Sequence, residues 1–283
     1  MSGKLIKLKS KIKATTKTKK ITKALELIAA SKMKSFQDKA LISQKFENEL
    51  KSVAIQNLDL DFENIYTEKR DEGKILFVLY TSDKGFCGPL NSKLISTLTK
   101  SPEWLENNSE NKLLITIGKK GYDFARNNKI SVVKSFQDIN ENISIPELAN
   151  LIDEILSFWD QELIKELYMV SPHFKNTFAY YPKIDKFLPL IFEEKEDPEV
   201  NTLFEPNSQE FLDGIFLKII FSKFFRSFME LKATEYSSRM IAMQNSSKSA
   251  SEIIKGLTLK YNKNRQEAIT NEIAEILGNK YNE

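Results

Sequence analysis

The residues that could do chemistry lie mainly in two glycine-containing turns, each placed directly after an apolar run. The first is Thr81-Ser-Asp-Lys-Gly-Phe-Cys-Gly-Pro-Leu-Asn91, and the second is Gly118-Lys-Lys-Gly121. Glycines between a strand and a helix can cradle a phosphate. The dinucleotide fingerprint needs three glycines at set spacing, however, and the phosphate loop needs a further upstream glycine and Lys-Ser or Lys-Thr. The pattern therefore favours tight strand-to-helix turns, with nucleotide binding as the alternative.

Three single side chains are candidates for catalysis, but the spacing places no partner beside any of them. Cys87 could be a reactive thiol, yet Lys84 is the only basic residue close to it, which favours a structural thiol. His173 is predicted to be a surface histidine in a loop, and Asp83 could act only as a lone general base. One cysteine and one histidine do not suit a structural zinc site, and a single cysteine suggests a reducing cytoplasm. We expect no catalytic residue, metal or cofactor, and an interaction protein rather than an enzyme.

The N-terminal part of the chain is strongly basic. Residues 1–40 hold twelve lysines against Glu26 and Asp38, a net charge of +10, whereas the rest holds 30 basic and 37 acidic residues, or −7. Such an arm is typical of a chain that binds nucleic acid, anionic lipid or an acidic protein surface. A nucleic-acid reader usually interleaves aromatic residues with its cations, and only Phe36 lies nearby. We therefore expect no nucleic acid as partner. A nucleic-acid-binding coiled coil is the remote alternative function, and a solvated helix face is the alternative for these lysines.

Both ends of the chain are predicted to be long helices. Residues 209–281 contain no proline and would span about 110 Å as one helix. Apolar residues there alternate at spacings of four and three, which is typical of a narrow coiled-coil seam: Met229, Ala233, Tyr236, Met240, Met243, Ala250, Ile254, Leu257 and Tyr261. The N-terminal stretch has the same spacing within three separate sets, which are Leu5, Leu8 and Ile12; Ile21, Leu25 and Ile28; and Ala29, Met33, Phe36 and Ala40. The two stretches are predicted to form an antiparallel coiled coil; several ordinary helices with unmarked turns are the alternative.

The middle of the chain alternates strands and helices. The apolar runs Lys74–Tyr80 and Lys112–Ile117 predict strands buried on both faces, and Ile130–Phe136, Leu167–Val170 and Thr177–Tyr181 are further candidates. Helices are predicted from Pro89, over 119–128, and from Pro146 through Leu163. The predicted fold class is α/β with a mainly parallel sheet. The predicted domains are an N-terminal helix (1–60), an α/β domain (74–192) and a C-terminal helix (209–283), with residues 193–208 as a linker. No apolar run is long enough to predict a membrane span.

Three stretches together resemble the gamma subunit of the F-type ATP synthase. They are Lys19-Lys-Ile-Thr-Lys-Ala-Leu-Glu-Leu-Ile-Ala-Ala-Ser-Lys-Met33, Ser82-Asp-Lys-Gly-Phe-Cys-Gly88, and Ser238-Arg-Met-Ile-Ala-Met243 followed by Tyr261-Asn-Lys-Asn-Arg-Gln-Glu-Ala-Ile-Thr-Asn-Glu-Ile273. Weaker similarity occurs at Phe187-Leu-Pro-Leu190 and Phe204-Glu-Pro206. The resemblance implies an antiparallel coiled coil of the terminal helices beside a Rossmann-like α/β domain.

The resemblance also implies a function and a set of partners. The chain would be the central-stalk rotor inside a hexamer of alternating catalytic and non-catalytic nucleotide-binding subunits, and it would couple nucleotide turnover to rotation and ion transport. Its foot would bind a membrane rotor ring and an epsilon-type subunit, on the cytoplasmic side of the cell membrane. The residues that match the family's partner contacts are Arg265, Gln266, Lys20, Lys23, Lys32, Cys87, Ile269, Ile273 and Ile276.

The sequence also departs from the family pattern. Pro89 replaces a usual glycine, Leu25 stands where methionine is common, and Asn264 stands where alanine is common. Ser171-Pro-His173 replaces a more polar stretch of the foot, which puts attachment to the ring in doubt. The alternative is therefore the rotor of a paralogous F-type-like ATPase that drives another membrane machine, such as one for gliding motility.

Overall fold

A computed structural model describes residues 2–57, 64–192 and 208–280. The chain divides into two compact units: Met1–Ala30 with Arg239–Glu283, and Ser31–Ser238. Two long helices, α1 (Ser2–Asn57) and α6 (Ser208–Lys280), each contribute to both units. Most of the predicted linker 193–208, together with Phe204-Glu-Pro206, lies outside the described residues.

The larger unit contains a five-stranded sheet in the order β3-β2-β1-β4-β5. Its strands are β1 (Lys74–Tyr80), β2 (Lys112–Ile117), β3 (Lys134–Phe136), β4 (Ile164–Asn176) and β5 (Ala179–Leu188). The β1 strand pairs in parallel with β2 and β4, and β2 pairs in parallel with β3, whereas β4 and β5 form an antiparallel hairpin. The predicted α/β class with a mainly parallel sheet is confirmed.

The bounds of two strands differ from the sequence predictions: the edge strand β3, and the part of β4 that extends beyond β1 and pairs only with β5. The β3 strand is only three residues long, and β4 continues to Asn176, past the predicted end at Val170. The central strand β1 is buried at every position after Lys74, as its apolar run requires. Edge strands carry fewer apolar residues, so the sequence marks their ends less sharply.

Four shorter helices connect the strands. They are α2 (Leu90–Lys100), α3 (Pro102–Leu105), α4 (Lys119–Asn127) and α5 (Ile145–Asp160), and a 3₁₀ turn covers Ser109–Asn111. The α5 helix begins with a capping box, in which the Ser144 side chain accepts from the Glu147 N–H and the Glu147 carboxylate accepts from the Ser144 N–H. It ends at Asp160, before the predicted end at Leu163.

In the larger unit α1 and α6 pack antiparallel. The Phe36 and Tyr236 rings stack with centroids 5.6 Å apart, and Ser43 Oγ donates to the Ser222 carbonyl over 3.2 Å. Contacts therefore move toward lower numbers in α6 as they move toward higher numbers in α1. Every residue of α6 from 227 to 238 is buried. The buried positions of α1 in this unit keep the heptad spacing throughout: Met33, Phe36, Ala40, Ser43, Glu47 and Ala54.

In the smaller unit the buried seam is thin. On α6 it contains Met243, Ser247 and Ala250, as the period predicts. On α1 it contains Leu8, Thr22 and Ala29. The prediction that Ile21, Leu25 and Ile28 belong to the seam is wrong, because these side chains are 60%, 39% and 53% exposed. Each of them lies one position before the heptad register that α1 keeps through Thr22, Glu26 and Ala29, which turns it onto the neighbouring face.

Candidate functional site

Two backbone segments lie very close together where β1 and β2 end, at Thr81 and Gly118. Gly118 has a φ of +93°, and a Cβ added there would lie 2.1 Å from the Thr81 carbonyl oxygen. The Thr81 hydroxyl lies 3.1 Å from the carbonyl oxygens of both Ile117 and Gly118. The glycine is therefore required for the close approach of two backbone segments.

The first N–H groups of α4 are already bonded within the chain. The Lys119 N–H donates to the Asp83 carboxylate over 2.9 Å, and the Lys120 N–H donates to the Ser82 carbonyl over 3.2 Å. The Gly121 N–H donates to the Thr81 hydroxyl over 2.8 Å. A phosphate bound at a helix start needs such donors free. The structure therefore favours the structural interpretation of the Gly118–Gly121 turn over nucleotide binding.

Asp83 and Cys87 have structural contacts. The Asp83 carboxylate also accepts from the Asp138 N–H over 3.1 Å, so it ties two loops together. Cys87 is 2% exposed, and its Sγ lies 3.3 Å from Asn91 Nδ2 and 3.5 Å from Ser82 Oγ. These contacts agree with a structural thiol.

The three candidate lysines of α1 differ in their surroundings. Lys20 and Lys23 are exposed, and Lys23 Nζ lies 2.8 Å from the Glu26 carboxylate. Lys32 is hydrogen-bonded to Glu141 of the loop before α5, and its Nζ lies 3.3 Å from the Tyr236 hydroxyl. Burial acts to raise the pKa of Glu141, but the hydrogen bonds from Lys32 and Tyr236 outweigh it and lower that pKa below its usual value. Lys32 thus joins α1 to the α/β domain.

The candidate residues near the C-terminus of α6 are all exposed. Arg265 and Gln266 are adjacent, so their side chains point about 100° apart around the helix. Ile269, Ile273 and Ile276 are spaced by four and three residues and lie on one helix face, with exposed fractions of 46%, 52% and 62%. Exposed branched side chains in a row are typical of a surface that meets another protein.

A chain of ionisable side chains, which begins at the fully buried Glu47, links α1, α6 and β4, and the sequence analysis missed it. The fully buried Glu47 carboxylate lies 2.6 Å from Lys51 Nζ and 2.9 Å from an Arg226 guanidinium nitrogen. Arg226 also lies 3.7 Å from Glu230, whose carboxylate is 3.0 Å from His173 Nδ1. The only local signals were the spacings of four between Glu47 and Lys51 and between Arg226 and Glu230.

His173 corrects one sequence prediction. It lies within β4 rather than in a loop, and it is half-buried against Glu230 rather than on the open surface. Its ring also lies 4.9 Å from the Tyr181 ring of the paired strand β5. A polar, proline-containing sequence suggested a loop, but the hairpin register pairs Ser171, Pro172 and His173 with Lys183, Pro182 and Tyr181.

Among the described residues, no group of acidic, histidine and cysteine side chains is placed to hold a metal ion. Within the same residues, no helix is long and apolar enough to cross a membrane.

A comparison with models of protein families shows which family the chain belongs to. A family model described as ATP synthase matches residues 4–279. The chain belongs to the gamma-subunit family of the F-type ATP synthase. As a gamma-family chain it has the role of the rotor subunit of that enzyme.

Solved structures of mitochondrial ATP synthases have the same fold as this gamma-family chain. A chain of the Euglena gracilis rotor in rotational state 1 is 16% identical, with a TM-score of 0.65 over 95% of this chain and 100% of that one. A chain of the Euglena gracilis OSCP/F1/c-ring structure in rotational state 3 is 17% identical, with a TM-score of 0.71 over 98% and 94%. A chain of the Tetrahymena thermophila central stalk and c-ring is 22% identical, with a TM-score of 0.60 over 80% and 99%.

Proposed function

We propose that this gamma-family chain is a non-catalytic rotor that turns inside a hexamer of alternating catalytic and non-catalytic nucleotide-binding subunits. It couples nucleotide turnover in that hexamer to rotation and to ion transport by a membrane ring. The similar Euglena and Tetrahymena chains come from structures that contain F1, a c-ring or both, which supports the hexamer and the ring as partners. An epsilon-type subunit is the third proposed partner, and the cytoplasmic side of the cell membrane is the proposed location.

The observation that carries this proposal is the distribution of buried and exposed residues in the smaller unit. Two helix segments share a thin seam there, while the family-matched cations of this unit, Lys20, Lys23 and Arg265, and the isoleucine row remain on the outside. A rotor acts on its surroundings as a ligand with different affinities for the successive conformations of each catalytic subunit. Its contact groups must therefore be exposed and differ from one side to the other.

Arg265 and Gln266 are the residues proposed to grip a catalytic-subunit loop. An arginine can hold a carboxylate by two parallel hydrogen bonds, and a glutamine can add one donor and one acceptor beside it.

Lys20, Lys23 and Lys32 are proposed to face acidic segments of the catalytic subunits, with Cys87 supporting the neighbouring segment. Because Lys32 already bonds Glu141 and Lys23 already bonds Glu26, we expect Lys20 to respond most strongly to an acidic partner. Ile269, Ile273 and Ile276 form the proposed apolar bearing surface.

The test is ATP hydrolysis by the assembled complex with Arg265→Ala and Gln266→Ala combined. We expect the rate to fall at least tenfold because a charge-assisted contact is lost, while the subunits still co-purify. The matched control is Lys260→Ala with Glu267→Ala, which removes one charge of each sign from exposed positions of the same helix. An undiminished rate would count against the proposed grip.

A second experiment identifies the complex. Gentle purification of the native assembly through a tag on this chain should recover the nucleotide-binding subunits together with a ring-forming membrane protein. Recovery of the nucleotide-binding subunits with a different membrane assembly would instead support the paralogous motor.

A further inference from the structure

One loop of the α/β domain bonds both long helices through a single carboxylate. Glu141 lies between β3 and α5, and each of its two carboxylate oxygens accepts one hydrogen bond. One donor is the Lys32 ammonium of α1, and the other is the Tyr236 hydroxyl of α6. Three elements that are far apart in the sequence therefore meet at one side chain, and all of them belong to the larger unit there.

The two donors also contact each other and are held in place by a third side chain. Lys32 Nζ lies 3.3 Å from the Tyr236 hydroxyl and 5.3 Å from the centre of its ring. The buried Tyr236 ring stacks on Phe36, which lies one turn along α1 from Lys32, with an interplanar angle of 4°. Because the stack already orders the Tyr236 side chain, little conformational entropy is lost when its hydroxyl bonds Glu141.

This contact differs from an isolated ion pair on the surface. Such a pair contributes little, because solvent screens it and two flexible side chains must be ordered. Lys32 and Glu141 are both partly exposed, but the second Glu141 oxygen bonds the hydroxyl of a buried tyrosine, so the three groups form a charge-assisted network. Although burial acts to raise it, the pKa of Glu141 is lowered by the hydrogen bonds from Lys32 and Tyr236, which shows that they stabilise the charged carboxylate.

The loop that carries Glu141 is fixed to its own domain on both sides. Before Glu141, the Asp138 N–H donates to the Asp83 carboxylate over 3.1 Å. After it, the capping box of Ser144 and Glu147 holds the start of α5. A force on the Glu141 carboxylate is therefore passed to the sheet and to α5 instead of being absorbed by a loose loop.

The contact lies beside the points at which both helices leave the larger unit. That unit covers residues 31–238, and α1 and α6 continue beyond it into the smaller unit. Lys32 is the second residue of this range and Tyr236 is the third from its end. Torque that travels along the two helices enters the larger unit at these points, so a contact here is placed to pass it to the α/β domain.

We propose that Glu141 is a positioning residue of the rotor, which clamps the α/β domain to α1 and α6 so that the domain and the helix pair turn as one body. This inference rests on the proposed rotor function and names the side chain through which torque crosses between helices and domain. The clamp can be measured on the isolated chain, and its effect can be measured in the assembled complex.

Hydrogen exchange of the isolated full chain tests whether the clamp exists. Glu141→Gln removes the charge and leaves one acceptor oxygen in place of two, so exchange of amides 138–143 should become at least fivefold faster. Tyr236→Phe keeps the stacked ring and removes one donor, so its effect should be smaller. The matched control is Glu154→Gln, because the Glu154 carboxylate lies 2.6 Å from Lys134 of the same domain; this variant should leave the loop unchanged. Circular dichroism confirms that each variant is folded.

Rotational fluctuations of the assembled complex test what the clamp does. The nucleotide-binding subunits are fixed to a surface, and a probe on the α/β domain reports the angular width of each dwell, which gives the torsional stiffness of the chain. Glu141→Gln should lower this stiffness at least twofold, whereas Glu154→Gln should keep the parent value. Glu141→Asp keeps both acceptor oxygens on a shorter side chain and should recover part of the stiffness. ATP hydrolysis without load should stay within twofold of the parent rate in each variant.

Two results would overturn the proposal. The first is equal stiffness in the Glu141→Gln and Glu154→Gln complexes. The second is slower unloaded hydrolysis with unchanged stiffness, which would make Glu141 a contact of a catalytic subunit instead. If the parent chain does not assemble with nucleotide-binding subunits, the rotor proposal fails and this inference fails with it, while faster loop exchange in Glu141→Gln would still show the intrachain clamp.

Discussion

The surroundings of Lys223 disfavour its positive charge. Its Nζ lies 4.2 Å from the centre of the Phe187 ring. Burial is the main cause that lowers the pKa of Lys223 to about 8; the positive charges of Lys51 and Arg226 act in the same direction, and Glu47 and Asp185 oppose them. The side chain therefore loses its proton far more easily than an exposed lysine does.

This lowered pKa predicts a pH dependence of stability. The usual pKa of a lysine side chain is 10.5, so between about pH 8 and that value the unfolded chain binds more protons than the folded one. The free energy of unfolding contributed by Lys223 therefore rises with pH across this window, and below it the folded chain bears the full cost of the buried charge. We expect Lys223→Met to raise the denaturant midpoint at pH 7 and to lose most of that gain by pH 10.

Chemical unfolding at the two pH values, followed by circular dichroism, measures this effect. Lys218→Met is the control, because Lys218 is an exposed residue of the same helix and its replacement should give no pH-dependent difference. A gain for Lys223→Met that is the same at both pH values would contradict the explanation.

The buried ion pair between Glu47 of α1 and Arg226 of α6 favours one register of the two helices over the others. Sliding either helix by one turn would leave the fully buried Glu47 without this guanidinium, and an unpaired buried charge is costly. Buried polar groups are known to select register and orientation in coiled coils. A rotor that transmits torque needs two helices that cannot slide, and this pair supplies such a restraint.

A double-mutant cycle tests this restraint. Glu47→Leu and Arg226→Met should each lower the free energy of unfolding by about 3 kcal/mol, because each leaves a buried charge with a poorer partner. The combined variant should lose much less than the total of the two single losses. Losses that simply add would show that the two side chains do not stabilise each other.

The two compact units differ in how completely they bury the helices that build them. All residues of α6 between 227 and 238 are buried in the larger unit. In the smaller unit the buried positions, Met243, Ser247 and Ala250, occur only about once per helical turn. Local opening is easier where few apolar groups are buried. The stability of α6 should therefore change along its length although the helix is continuous.

Hydrogen exchange of the isolated chain, followed by mass spectrometry, measures this difference. We expect amides of residues 244–277 to exchange at least tenfold faster than those of residues 227–238. Assembly with the nucleotide-binding subunits should slow exchange in the first segment and leave the second nearly unchanged. Uniform exchange along α6 in the isolated chain would contradict the expectation.

The sequence by itself determined the helices, the central strands and the family. A long stretch without proline, a heptad of apolar residues and a continuous apolar run are local signals, and each depends on the chain geometry of a single element. The three family motifs were also readable directly, because they consist of consecutive residues. These signals were sufficient for the α/β class, for the antiparallel pairing of the terminal helices and for the rotor role.

Only the tertiary structure decided which side chains meet. It placed Thr22 in the seam, beside the predicted Ala29, and excluded Ile21, Leu25 and Ile28, because the register is set along the whole of α1 and not by the local count of apolar residues. Glu47 meets Arg226, Asp83 meets the start of α4, and His173 meets Glu230. Partners so far apart in the chain leave no periodic pattern, so their contacts follow from packing alone.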